Sequence, residues 1–285
     1  MDQKIINLFD EYTHKPLTRE VFIQRLIKLT GSTAAALAVL PMLEVNYANA
    51  ETLSSQDDRL EIERITYQGD GTTMKGYLAK PKGKNVLGGV VVIHENRGLN
   101  PHIEDVTRRM ALEGFLAMGP DALSPLGGTP ADADKARDMF QQLDSEKTIQ
   151  NFARAFDYLK SRNDCNGKFG CIGFCWGGAM ANNLAVHVPP LLVAVPFYGR
   201  QPEAQDVAKI KATLQLHYAE MDERVNAGIA AYEDALKKAG TKYELFIYEG
   251  AQHAFHNDTA PTRYNELAAK LAWKRAVDLL KKKLK

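Results

Sequence analysis

A chain of 285 residues with a formal net charge of +1 is long enough to bury a large core without disulfides or a structural metal, and it lacks the basic footprint of a nucleic-acid binder. Hydrophobic residues make up 45% and charged residues 25%, ordinary for a soluble globular protein. The three cysteines, Cys165, Cys171 and Cys175, are an odd, small set rather than a disulfide framework, and no histidine lies close by at zinc-ligand spacing, so no metal or other cofactor is expected.

Residues 1–50 read in two ways. Leu29 to Leu43 is a mildly apolar stretch, too short for a stable membrane span. It is preceded by Arg19, Arg25 and Lys28 and followed by Ala48-Asn49-Ala50, a small-residue pattern of the kind found at cleavage sites. Thr18 to Gln24 resembles a twin-arginine export signal, but Glu20 stands where the second arginine belongs. The other reading is an amphipathic helix, Arg19 to Leu40, packed on the domain or on a partner. Retention in the cytoplasm is the expectation, and export to the periplasm the alternative. Residues 51–59 read as a polar linker, so removal of Met1 to Ala50 is expected to leave a folded, active domain.

From Leu60 to Lys285 the pattern alternates between two periods. Ile62–Tyr67 and Thr73–Lys80 read as strands joined by the hairpin-type turn Gly69-Asp70-Gly71. Gly88–His94 is a continuous β-branched run, as in a strand buried on both faces. Then come a helix (Ile103–Glu113), a strand (Phe115–Met118), two helices (Ala131–Leu143, Lys147–Arg162) and a strand (Lys168–Phe174). A helix (Gly177–His187), two strands (Leu192–Phe197, Leu214–Tyr218), a helix (Ala227–Lys238), a strand (Tyr243–Tyr248) and a long helix (Tyr264–Leu284) complete the chain. Such alternation implies an α/β protein with a mostly parallel, doubly wound sheet and helices on both faces. Its ligands belong at the carboxyl ends of the strands.

Four stations there carry chemistry. Gly173-Phe174-Cys175-Trp176-Gly177-Gly178, between a strand and a helix, is the nucleophile-elbow pattern with cysteine in the centre. The helix N-terminus behind Cys175 favours its thiolate. His253, after the last strand, stands where chain order puts the base, with His256 its competitor. Asp222, Glu220 and Glu223 follow the strand Leu214–Tyr218, and chain order does not choose among them for the acid that orients the imidazole. Fourth, His94-Glu95-Asn96-Arg97-Gly98 follows the early strand, so the backbone N–H groups of Asn96 and Trp176 are the expected oxyanion donors.

Together these motifs resemble the dienelactone hydrolase (carboxymethylenebutenolidase) family, over about Leu60 to Lys285. The resemblance implies an α/β-hydrolase fold and cleavage of an ester or lactone through a Cys175–His253–Asp222 triad and a thioester acyl-enzyme. It selects Asp222 over its acidic neighbours and implies that Glu95 holds the resting thiol neutral. The family's archetype has a serine and an arginine after the histidine that grip the substrate carboxylate; here Ala254 and Phe255 follow. Arg97, Arg200, His256, Phe255 and Tyr198 are therefore the candidate substrate contacts, and the expected partner is a small ester or lactone. The alternatives are a non-catalytic small-molecule binding protein on the same fold and a thiol redox sensor. The sensor is disfavoured because Cys171 stands four residues back on an extended strand, about 12 Å or more from Cys175.

Overall fold

A computed structural model describes residues 1–44, 52–83 and 86–285; Ala48-Asn49-Ala50 lies outside them. One eight-stranded sheet organises the chain, in the order β1 (Leu60–Gln68), β2 (Thr73–Pro81), β4 (Leu116–Pro120), β3 (Leu87–Ile93), β5 (Cys165–Phe174), β6 (Leu191–Phe197), β7 (Thr213–Ala219), β8 (Tyr243–Tyr248). β2 is antiparallel to both its neighbours, and every pair from β4 to β8 is parallel. This is the α/β-hydrolase architecture.

Side-chain alternation divides the core into two layers. Along β3, Val91 and Ile93 face one layer with α6 (Ser145–Ser161), α7 (Trp176–His187) and α9 (Ile229–Ala239). Val90 and Val92 face the other, with α4 (Pro101–Leu112) and α10 (Glu266–Leu284). Every residue of β3 is buried, which explains its unbroken apolar run. Burial of such side chains stabilises by roughly 1.5–3 kcal/mol each.

The N-terminal segment forms a third apolar cluster of its own. It comprises α1 (Gln3–His14), α2 (Arg19–Thr30) and α3 (Thr33–Leu43), packed around Phe9, Tyr12, Phe22 and Leu26, with Tyr12 stacked on Phe22 at 4.4 Å. The side chains of Asp2, Thr18 and Ser32 cap the three helices. The single helix expected over Arg19–Leu40 is instead two helices bent by 114°. Gly31 adopts φ 81° and ends α2, and Ser32 starts α3, a glycine C-cap followed directly by a serine N-cap. Among the described residues no single helix is long and apolar enough to cross a membrane. The described part of the expected linker is pinned at Leu53, whose N–H donates to Asp105 (2.7 Å) and whose carbonyl accepts from Arg108 (2.8 Å).

Candidate active site

The site is built around the turn from β5 to α7. Cys175 sits there at φ 57° and ψ −112°, a conformation that costs about 1–3 kcal/mol and persists only where its surroundings enforce it. Its N–H donates to Phe197 O at 3.0 Å. The flanking glycines are demanded by contact: a Cβ on Gly173 would lie 2.0 Å from Gly177 O, and one on Gly177 would lie 2.3 Å from Ile93 O. Trp176 is the first residue of α7, so its N–H has no intrahelical acceptor.

His253 and Asp222 meet beside this turn. His253 Nδ1 donates to Asp222 Oδ2 at 2.5 Å, both side chains being buried. The second carboxylate oxygen of Asp222 accepts from Val225 N–H and caps the short helix α8 (Glu223–Asn226). Glu220 turns instead to Gly250 N–H (2.8 Å), and Glu223 is exposed. Burial lowers the His253 pKa, but Asp222 and then Cys175 outweigh it and hold the imidazole well above its ordinary value.

A residue that the sequence motifs do not mark completes the cluster. His14, the last residue of α1, brings Nε2 to 3.1 Å from Cys175 Sγ. Its Nδ1 lies 2.8 Å from Asp10 O and 3.1 Å from the Asp10 carboxylate. Burial raises the Cys175 pKa, yet His14 first and His253 next pull it down to about 6 from 9.0. The His253 Nε2 is buried without a hydrogen-bond partner among the described residues. One donor atom from each of His14, Cys175 and His253 lies within 4.8 Å of the others, so these three side chains could also hold a metal ion.

The loop after β3 is set by His94. Its Nε2 accepts from Ala122 N–H (3.1 Å), so Nδ1 carries the proton and donates to Glu95 O (2.7 Å). The ring stacks on Trp176 at 5.4 Å, tying the Asn96 loop to the elbow. Asn96 lines the site, and its side-chain amide donates to Thr13 O at 2.8 Å. Glu95 Oε2 accepts from Asn257 (2.8 Å), and its Oε1 is buried without a hydrogen-bond partner among the described residues.

A cavity of about 450 Å³ opens over Cys175. Tyr198 and Arg200 line it, and the Tyr198 ring meets His253 edge-on at 5.1 Å. The other expected substrate contacts do not reach it. Arg97 is turned to Ala133 O and Asp134. Phe255 is buried against Tyr198 and Tyr248. His256 is stacked between Phe174 and Trp273, where burial, then His102 and Arg109, lower its pKa to about 3. Sequence reasoning missed Arg137 and Arg224, which also line the cavity, as do residues Thr13 to Pro16 of the N-terminal segment.

A family model described as the dienelactone hydrolase family matches residues 74–284. A protein of Saccharolobus solfataricus, named as a provisional carboxymethylenebutenolidase, is 31% identical over 258 residues, covering 77% of this chain and 98% of that one. "Protein usf" of Aquifex pyrophilus is 34% identical over 231 residues, covering 78% and 99%. Among solved structures, a dienelactone hydrolase-like promiscuous phosphotriesterase from metagenomic libraries shares the fold. Its TM-score is 0.72 at 24% identity, covering 80% of this chain and all of that one.

Proposed function

The chain belongs to the dienelactone hydrolase family and is a carboxylic ester or lactone hydrolase, and from that premise we propose that it works through a Cys175–His253–Asp222 triad and a thioester acyl-enzyme. The observation that carries the proposal is the strained elbow at Cys175 beside an Asp222–His253 hydrogen bond of 2.5 Å. In this reading Sγ attacks the substrate carbonyl and the N–H groups of Asn96 and Trp176 receive the oxyanion. The C–O bond then breaks and the leaving oxygen takes a proton from imidazolium. Water attacks the thioester, an imidazole accepts its proton, and the acid departs as Cys175 is released.

Substrate choice in this proposal rests on the cavity wall. Arg137, Arg200 and Arg224 border it, so an ester or lactone carrying a carboxylate fits better than a cationic one. The proposed compartment is the cytoplasm. The supporting observations are the docking of the N-terminal helices through Thr13 and His14, which an export machinery would have to undo, and three free cysteines.

The test is hydrolysis of a chromogenic carboxylic ester and of a dienelactone by the full chain and by Cys175→Ala. A burst of product followed by turnover, both abolished in the variant, is the expected result. Binding of substrate without turnover in the wild type would make the chain a binding protein, and undiminished turnover by Cys175→Ala would remove the nucleophile.

A further inference from the structure

The family match begins at residue 74, yet the hydrogen bond to the proposed nucleophile comes from residue 14. Asp10 and His14 are one turn apart on α1: His14 Nδ1 hydrogen-bonds the Asp10 backbone carbonyl at 2.8 Å with the Asp10 carboxylate 3.1 Å away, and Nε2 ends on Sγ. An acid, an imidazole and the sulfur thus stand in the same order as Asp222, His253 and Cys175, with the backbone carbonyl rather than the carboxylate as the hydrogen-bond acceptor. Arg224 Nε in turn lies 3.2 Å from Asp10 Oδ2. The two imidazoles touch edge to face, 4.7 Å between centroids. The thiol is thus hydrogen-bonded to His14, while His253, which also draws down the thiol's pKa, stands beside it with Nε2 lacking a hydrogen-bond partner among the described residues.

The placement of α1 is built, not incidental. Thr13 O accepts from the side chain of Asn96, the residue expected to supply an oxyanion donor. The Arg137 guanidinium lies 4.2 Å from the centre of the Tyr12 ring and donates to Tyr12 O. Gln3 and Gln252 exchange two amide hydrogen bonds. These contacts hold both ends of α1 against the domain and leave the cavity open beside His14.

We propose that His14 is a second catalytic histidine and that the two imidazoles divide the proton transfers between acylation and hydrolysis. The proposal rests on Cys175 being the nucleophile. In acylation His14 Nε2 takes the Sγ proton, the C–S bond forms, the ester C–O bond breaks, and His14 returns that proton to the leaving oxygen. In hydrolysis His253 Nε2 takes a proton from the attacking water, the hydroxyl oxygen bonds to the acyl carbon, and the C–S bond breaks. His253 then gives its proton to the released sulfur. Water and ester become acid and alcohol with no other reagent. The charged and titratable groups facing His14 are Asp10 on its own helix, Cys175 and His253 from the domain, and Arg224 through Asp10.

The test compares His14→Gln, His14→Ala, Asp10→Asn and His253→Gln in the full chain, with a chromogenic ester as substrate. Loss of a general acid–base group lowers rates by about 10²–10⁴-fold, so kcat/KM and the burst rate of His14→Gln fall by at least about 10²-fold. His253→Gln still acylates and accumulates a thioester that intact-protein mass spectrometry detects as an added acyl mass. Added imidazole restores part of the burst in His14→Ala, which a purely structural role would not allow. Asp10→Asn, which keeps the backbone carbonyl that holds His14 Nδ1, loses less than His14→Gln and shifts the acid limb of the kcat/KM profile. His14 variants within twofold of wild type, in an enzyme that Cys175→Ala inactivates, overturn the proposal while leaving the triad standing. So does an acyl-enzyme that accumulates equally in His14→Gln and His253→Gln. Activity surviving in Cys175→Ala would instead remove the nucleophile on which both readings depend.

Discussion

The depressed pKa of Cys175 makes a quantitative prediction about selective alkylation. Burial, then the two imidazoles in the opposite direction, leave this thiol titrating at about 6. Burial raises the pKa of Cys165, which is half-buried, and that of Cys171, which is fully buried. Against a thiol of pKa 9, Cys175 carries roughly ninety times more thiolate at pH 7, but its lower basicity reduces its intrinsic reactivity about twentyfold, leaving about a fourfold advantage. At pH 5.5 the thiolate ratio is roughly 800, so the net advantage grows to about 35-fold. Iodoacetamide should therefore label one site selectively in mild acid and several less selectively at neutral pH. The assay is the second-order rate from pH 4.5 to 9, with peptide mapping and residual esterase activity measured on the same samples. The Cys175 rate should reach half its plateau near pH 6, and activity should disappear with it. A rate still climbing tenfold per pH unit between 7 and 8.5, or modification of Cys165 with activity intact, would refute the reasoning.

Three further outcomes are expected. In Glu95→Gln the Cys175 midpoint should move down, because a buried like charge is removed, and the change should be read at pH 5 to 6, where the thiolate fraction is still sensitive. An unchanged ultraviolet thiolate titration would reduce Glu95 to an acceptor for Asn257. Removal of residues 1–44 should leave a folded domain by circular dichroism, since the two main core layers are built without them. It should nonetheless lower esterase kcat/KM by about 10²-fold or more, as loss of an acid–base group does, and full activity would show that His14 is dispensable. Gly177→Ala should destabilise by about 1–3 kcal/mol in urea unfolding, since its Cβ would stand 2.3 Å from Ile93 O, and wild-type stability would show that the elbow relaxes.

Most of the fold was legible because its signals are local. The run Gly88–Val92 announces a doubly buried strand, and the glycines around Cys175 announce a turn that admits no side chain; both follow from contacts the pattern encodes directly. The acid was not separable by local reasoning. Glu220, Asp222 and Glu223 occupy one short loop, and only the turn of the chain sends Glu220 to Gly250 and Asp222 to His253. Of the expected substrate contacts Tyr198 and Arg200 line the cavity, and the others miss it for a related reason. Arg97 and His256 are near the right strand ends in sequence, but their side chains are directed to Asp134 and to an aromatic stack.

The N-terminal segment shows most clearly where sequence patterning stops. An apolar, small-residue stretch after basic residues carries the same composition whether it is an export signal or a helix packed in a core. Deciding between them depends on what lies against it. Here the apolar stretch packs within the N-terminal cluster, and the contact with the site comes from α1, where His14 meets Cys175 across 161 residues of chain. Two local signals nevertheless point that way. Ile5, Leu8, Phe9 and Tyr12 recur at helical spacing, which marks one face of α1 for burial. Asp10 and His14 stand four apart, the separation that lets a carboxylate hold an imidazole on one helix face. The proposed role of His14 therefore predicts that the length of chain needed for activity exceeds the family match over residues 74–284, and the kcat/KM of a chain lacking residues 1–44 decides it.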